Sequence, residues 1–433
     1  MANIIPIKGL RYNKEKIGNL ASVVTPPYDI IDEAAQARYY AENSANIIRL
    51  ELGLIFPQDT PENNRYSRAE KYLQKWLEDE ILIRETKPAL YYYQQCFKID
   101  NQPVVRNSFI CGLKVEDYSQ GNILPHEETL SKPKADRLQL LRATKANFSS
   151  IFGLFSDPEK IIDHTLSALA ENLVPDINIT DEAGEAHRVW VITDAAIIGR
   201  IVSLMSDKNI YIADGHHRYE TSLEYARIMA EQKIDGYDYV LTTLVNIYDE
   251  GLVVLPTHRV VGNVSDFKIS TFLKQLEPLF KVEKYTTKNS PSGFVEELAK
   301  AGQKNHVIGL YDGKCLYFLT LKNEKSSFSK LPPEKSLAWK NLDVAIADNL
   351  ILNNLLNIGE EERRNQDNLA YTRDISWLIE QVDSKKRQLG IILNPTKVED
   401  IVKVADAKDK MPQKSTYFYP KLITGLIINY LNH

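Results

Sequence analysis

The densest run of chemically capable side chains in this sequence is Asp214-Gly215-His216-His217-Arg218, placed between an apolar stretch, Lys208 to Ala213, and a helical stretch, His217 to Gln232. A helix that opens directly out of a strand presents unpaired backbone N–H groups and a partial positive charge. Glycine lets a phosphate approach the backbone, and the planar fork of arginine matches phosphate oxygens. Histidine adds a proton carrier near neutrality. The combination predicts a site that grips the phosphates of a small molecule, with Gly215, His217 and Arg218 on the phosphates and Asp214, His216 and His217 as candidates for proton transfer. The plainer reading uses the same residues for structure alone, with histidines capping a helix and the arginine paired to a carboxylate. A shared metal ion fits less well, because adjacent helical residues point about 100 degrees apart. Asp214 or His258 would then have to complete the ligand set.

Four other segments carry chemistry. Pro26 and Pro27 fix an extended turn that presents Tyr28 and Asp29, so that Asp29 is a general base, a magnesium ligand or simply a turn cap. His126, Glu127 and Glu128 precede a basic run in which Lys134, Arg137 and Lys145 face either an anionic substrate or solvent. Leu252 to Val260 reads as a strand with Pro256 inside it. Such a strand lies at an edge or a bulge, which would expose Thr257, His258 and Arg259 to a substrate or merely to water. Lys414, Ser415 and Thr416 resemble the end of a Walker A loop, but the GxxxxGK context is absent. They remain a phosphate-binding turn or a packed aromatic turn with Tyr417, Phe418 and Tyr419 beneath.

The elements that must position these residues alternate between strand and helix. Asp32 is a natural N-cap for a helix over 32–42. A second helical pattern covers 66–79, followed by a strand over 89–97 whose partner is 104–115. Helices over 135–145 and 158–173 precede a strand over 187–193. The strand-turn-helix unit at 208–232 leads into a strand over 239–248, which the turn at Asp249 to Gly251 returns as a hairpin along 252–261. Beyond about 265 come charged helices and a strand pair over 307–321. The order predicts a mixed α/β (α+β) fold in two regions, 1–262 and 263–433, with a sub-domain break near 88–120.

Composition removes several classes of function. Of 433 residues, 43% are apolar and 26% charged, which excludes disordered, collagenous and disulfide-scaffold chains. A formal charge of −5 leaves no global basic footprint for duplex nucleic acid. The odd set Cys96, Cys111 and Cys315 is too scattered for a disulfide framework or a paired-ligand zinc site, which fits a reducing cytoplasm. The N-terminus shows no secretory pattern, and the stretch from Leu422 to Leu431 is about half the roughly 20 residues a membrane span needs.

GHHRYET resembles the nucleotide-binding turn of the ParB and sulfiredoxin superfamily, in which a glycine followed by His-Arg or Arg-Arg and an aromatic opens a helix over the phosphates. Gly215, His217, Arg218, Tyr219 and Glu220 match the sulfiredoxin form. His216 stands where sulfiredoxin carries its reactive cysteine, which argues against sulfinic acid repair. The DGH-containing turn of the free serine kinases is the nearest pattern. Over nearly the whole chain the sequence is also similar to the uncharacterised family of unknown function numbered 1015, through VVTPPYDII (23–31), ILPHEETLSKPKADRLQLLRATKANFSSIFGLF (123–155), ADGHHRYET, LPTHR (255–259) and MPQKSTYFYPKLITG (411–425).

These resemblances imply a ParB/sulfiredoxin-like nucleotide-binding core with a mixed sheet and added α/β elements. They imply transfer of a phosphoryl group from ATP or ADP to a hydroxyl, with free L-serine the first acceptor. Magnesium would arrive with the nucleotide, possible ligands being Asp214 and Asp29. Tyr28, His126, Glu128, His258 and Arg259 would line the acceptor, while Gly215, His217, Arg218, Lys134, Arg137, Lys414, Ser415 and Thr416 would bind phosphate. The partners are then a nucleotide and a small molecule, with a homodimer left open. Two rivals stand beside this reading: a ParB-type regulatory module gated by a nucleotide, and a phosphate-ester hydrolase.

Overall fold

Aromatic and β-branched residues dominate nine short stretches that pair into one sheet, because such side chains suit a pleated, half-buried surface. The computed structural model describes residues 2–127, 131–286 and 291–431, with backbone alone at 131 and 132. The sheet lies in the first of two units, residues 1–253 together with 420–433; the second unit is 254–419. In chain order its strands are Ile4–Ile5 (β1), Leu90–Ile99 (β2), Gln102–Lys114 (β3), Ile123–Leu124 (β4), Ile151–Phe155 (β5), Ile177–Thr180 (β6), Ala186–Ile192 (β7), Ile210–Asp214 (β8) and Tyr239–Asn246 (β9). They lie in the order β4-β8-β5-β9-β3-β2-β7-β6, with β1 beside β3. The sheet is mixed, since β8 with β4 and β9 with β5 run parallel and the other pairs antiparallel.

The helices of this unit that matter for the site are Glu33–Glu42 (α1), Arg65–Glu78 (α2), Ser131–Thr144 (α3), Ile161–Ala170 (α4), Ala195–Met205 (α5) and His216–Glu231 (α6). Asp32 caps α1 through its side chain, accepting from the Ala35 N–H at 2.8 Å, as its position predicts. Ile162 and Leu166 of α4 and Ile201 and Met205 of α5 pack with Tyr92, Phe109, Phe155 and Ile212 of the sheet in one buried cluster. Tyr219 of α6 joins that cluster. Its hydroxyl donates to the Glu116 carbonyl at 2.8 Å and accepts from the Glu116 N–H at 3.0 Å, which anchors the first turn of α6.

The mixed α/β fold and the strand pair β2–β3 agree with the sequence reading, but the expected hairpin over 239–261 does not form. β9 is a central strand held between β5 and β3, so both of its edges are already paired. The chain instead passes into the second unit, where His258–Val261 (β10), Phe280–Lys284 (β11), Val307–Tyr311 (β12), Leu316–Leu321 (β13), Leu369–Thr372 (β14) and Leu389–Ile392 (β15) form an antiparallel sheet in the order β11-β13-β12-β15-β10-β14. β10 is therefore internal. Thr257, His258 and Arg259 are buried, contrary to the edge that Pro256 suggests, because Pro256 falls in the break between Val253–Leu255 and β10 and removes no ladder bond from either. From Pro420 the chain returns to the first unit, where Asn429–Tyr430 pairs with Ala146–Asn147. No helix among the described residues is long and apolar enough to cross a membrane.

Candidate functional site

The site grows from the junction of β8 and α6. The register between β8 and β5 slips between Ile212 and Asp214, a bulge that turns the end of the strand. Gly215 then adopts φ +91, a left-handed conformation that side chains resist, and α6 starts at His216. A Cβ on Gly215 would meet three atoms of the Arg218 guanidinium at 3.0–3.1 Å, so glycine serves both the turn and the close passage of that side chain.

Asp214 sits under two cations. Arg218 Nη2 donates to its Oδ2 at 2.9 Å, and Lys421 Nζ donates to its Oδ1 at 2.7 Å. Burial works against the charge, but the ammonium of Lys421 and the guanidinium of Arg218 outweigh it and hold the carboxyl at about 2. Arg218 is further fixed by Nη1, which donates to the Ser150 carbonyl at 2.6 Å at the start of β5. Asp214 is thus a permanently ionised anchor, which is poor chemistry for a general base at neutral pH and good chemistry for orienting cations.

The two histidines of the turn differ. His216 is buried and its Nε2 accepts from the His126 N–H at 3.3 Å, while the His126 ring meets it edge-on at 4.9 Å. His126 Nδ1 donates to the Ile212 carbonyl at 2.7 Å, and burial pushes this imidazole down to about 4. His217 is only partly covered. Burial lowers its pKa and so do Lys134 and Arg218, against the opposing charges of Glu220 and Asp29. The charges that act on His217 therefore include Asp29, exposed on the 3-10 turn Tyr28–Ile30, and Lys134 of α3, whose Nζ lies 2.9 Å from Glu220.

Tyr28 reaches the same region. Its phenol is pushed up to about 12 by burial despite Arg218 and Arg137. Arg137 is buried, stacks at 4.1 Å on the Tyr28 ring, and pairs with Glu51 at 3.3 Å and with Asp136 at 2.5 Å. Glu51 also accepts from Ser149 Oγ at 2.9 Å. Asp136 is shared with Arg65, and Arg137 forms a strut between α3 and the segment at Glu51.

Of the sequence candidates, the first unit brings together Tyr28, Asp29, His126, Lys134, Arg137, Asp214, Gly215, His216, His217 and Arg218. Glu128 lies outside the described residues. His258, Arg259, Lys414, Ser415 and Thr416 belong to the second unit. There His258 Nδ1 accepts from the Leu393 N–H at 3.2 Å, Arg259 pairs with Asp348 at 3.2 Å and donates to the Lys414 carbonyl at 3.3 Å, and Thr396 Oγ1 donates to the Ser415 carbonyl at 2.8 Å. Lys421 is the main residue that sequence reasoning missed. It closes the block MPQKSTYFYPK, but a lone lysine after proline has no spacing signal, and its role follows from the return of the chain to the first unit.

Among the described residues, Asp181, Glu185 and His187 bring ligand atoms within 4.8 Å of one another, on β7 and the turn that precedes it. Arg106 and Glu185 act on each other electrostatically, and His187 Nε2 lies 3.2 Å from Asp181 Oδ2. Asp214 does not fit magnesium brought by a nucleotide, since both of its oxygens are engaged by Arg218 and Lys421, whereas Asp29 offers an exposed carboxylate.

The fold and site define a mixed α/β protein whose charged centre is a strand-to-helix turn. The chain belongs to the family described as a protein of unknown function, DUF1015, whose model matches residues 4–345. No curated protein matches the sequence. Solved structures give loose superpositions: a conserved hypothetical protein from Pyrococcus furiosus (TM-score 0.33, 9% identity, 73% of this chain and 92% of that one), a free serine kinase in complex with AMP (0.34, 9%, 72% and 86%), and C-terminally truncated SbnI from Staphylococcus aureus (0.36, 10%, 74% and 87%). At these scores the likenesses carry no argument about activity.

Proposed function

We propose that this protein is a nucleotide-dependent phosphotransferase that moves a phosphoryl group from ATP or ADP to the hydroxyl of a small molecule, with free L-serine as the first acceptor. The observation that carries the reading is the convergence of Arg218, Lys421 and the N-terminus of α6 on one turn, with His217 and Asp29 beside it. Phosphoryl transfer needs positioning and neutralisation of charge more than covalent chemistry. The two cations and the helix N–H groups supply both, and Asp214 keeps the cations in place. His217, disposed by burial to stay neutral, takes the hydroxyl proton, with Asp29 as the second acceptor for it. Asp29 is the residue that would hold magnesium, which would supply charge neutralisation on the phosphates. The choice of serine rests on the sequence resemblance of the DGH turn alone.

The test is phosphorus NMR of the purified chain with magnesium, ATP or ADP, and a panel of hydroxyl compounds that includes L-serine. A new phosphomonoester resonance that depends on the acceptor is the expected result. Absence of any such resonance across the panel sinks the proposal, and release of free phosphate without an acceptor assigns a hydrolase instead. Thermal shifts with ATP, ADP and CTP identify the nucleotide, because a ligand of the native state raises its stability by mass action.

A further inference from the structure

Lys421 reaches Asp214 from a segment that two buried polar side chains fasten to the sheet. Gln95 on β2 and Arg106 on β3 are cross-strand partners, and each is fully buried at 0% exposure. Arg106 Nη2 donates to the Pro420 carbonyl at 2.7 Å and also to Gln95 Oε1, and Gln95 Nε2 donates to the Lys421 carbonyl at 3.2 Å. The Arg106 guanidinium lies 4.8 Å from the centre of the Phe152 ring, and Phe152 is the residue of β5 that pairs with Asp214. One side chain therefore touches the backbone that carries Lys421 and the strand residue opposite Asp214. Burying an arginine is costly, and an apolar pair would fill the same space with less desolvation. The cost is understandable if these bonds set a geometry.

We propose that Arg106 and Gln95 are positioning residues that hold the Pro420–Lys421 backbone so that the Lys421 ammonium stays on Asp214. The fastening stands on its own contacts. Its consequence for ligand binding rests on the phosphate-site reading above.

The test uses the full chain with Arg106→Met, Arg106→Lys and Gln95→Met, each checked for folding by circular dichroism. Reactivity of Lys421 toward a lysine-directed N-hydroxysuccinimide ester is read by peptide mass spectrometry and normalised to exposed Lys14. Lys421 is 12% exposed and ion-paired, so it reacts slowly in the wild type. Arg106→Met raises its labelling about tenfold, the change expected when hydrogen bonds from a charged donor are lost. Arg106→Lys gives labelling between that of the wild type and that of Arg106→Met, because both bonds come from the one nitrogen Nη2, which an ammonium replaces in part, while the planar stacking on Phe152 is lost. Gln95→Met gives a smaller rise and carries the test if Arg106→Met does not fold. Wild-type labelling of Lys421 in the folded variants overturns the proposal.

A second arm titrates ADP with magnesium, and inorganic phosphate. Arg106→Met weakens binding in the wild-type background and adds nothing in Lys421→Met. Independent, multiplying losses also overturn the positioning role, since they place Arg106 outside the Lys421 pathway. If the wild type binds neither probe, the phosphate-site reading falls while the labelling arm still judges the fastening.

Discussion

Asp214→Asn removes one charge from the centre of the turn and keeps its shape. The folded carboxyl titrates at about 2 against an ordinary 3.8, which at about 1.4 kcal/mol per pH unit amounts to roughly 2 kcal/mol of stability from the ionised form. Asp214 is 22% and Lys421 12% exposed, so solvent screening takes only a small part of this. Because the folded value lies below the unfolded one, the contribution is complete above about pH 5 and disappears as pH falls through 2. The asparagine variant is therefore expected to unfold about 2 kcal/mol more easily at pH 7, with roughly half of that gap gone by pH 3. The assay is urea unfolding followed by tryptophan fluorescence, in a background of Trp339→Phe and Trp377→Phe that leaves Trp76 and Trp190 of the first unit as reporters. A gap below about 0.5 kcal/mol at pH 7, or one unchanged between pH 7 and pH 3, refutes the reasoning, because the ion pairs would then contribute no more than an exposed surface pair.

Gly215→Ala places a methyl group against the Arg218 guanidinium at φ +91 and is expected to cost about 1–2 kcal/mol in the same unfolding assay. His126→Gln removes an imidazole held near 4 rather than 6.5. The folded protein resists this proton, so wild-type stability falls between pH 6.5 and pH 4 by up to roughly 3 kcal/mol, and unfolding of the variant at a series of pH values should lack that acid limb. His217→Gln should lower turnover at least about a hundredfold while nucleotide affinity in a thermal-shift titration stays close to wild type. With His217 neutral as the base and its pKa lowered, wild-type turnover should rise with pH through a value below 6.5.

The candidate turn was legible because its residues are neighbours in sequence and its chemistry is local. An apolar strand, a glycine, two imidazoles and a guanidinium within one turn leave few uses for that glycine, and the structure gives it φ +91 as a helix begins. Asp32 as a cap and the β2–β3 pair were legible for the same reason. The hairpin expected after β9 failed because a turn signal reports that the chain reverses, not which strands already occupy the edges of its neighbour. Pro256 likewise suggested an exposed edge, whereas its place in a break between strands leaves β10 free to be internal.

By itself, then, the sequence determined the strand-to-helix turn, the mixed α/β class and the family, all of which rest on short-range pattern. Tertiary structure alone decided which charges meet there. Lys421 comes to Asp214 across 207 positions of chain, Asp29 acts on His217 from a distant turn, and Arg137 is joined to Glu51 and Asp136 beneath Tyr28. Such pairings depend on where the chain returns after folding, and a lysine that will be buried against a carboxylate looks the same in sequence as one that will face water.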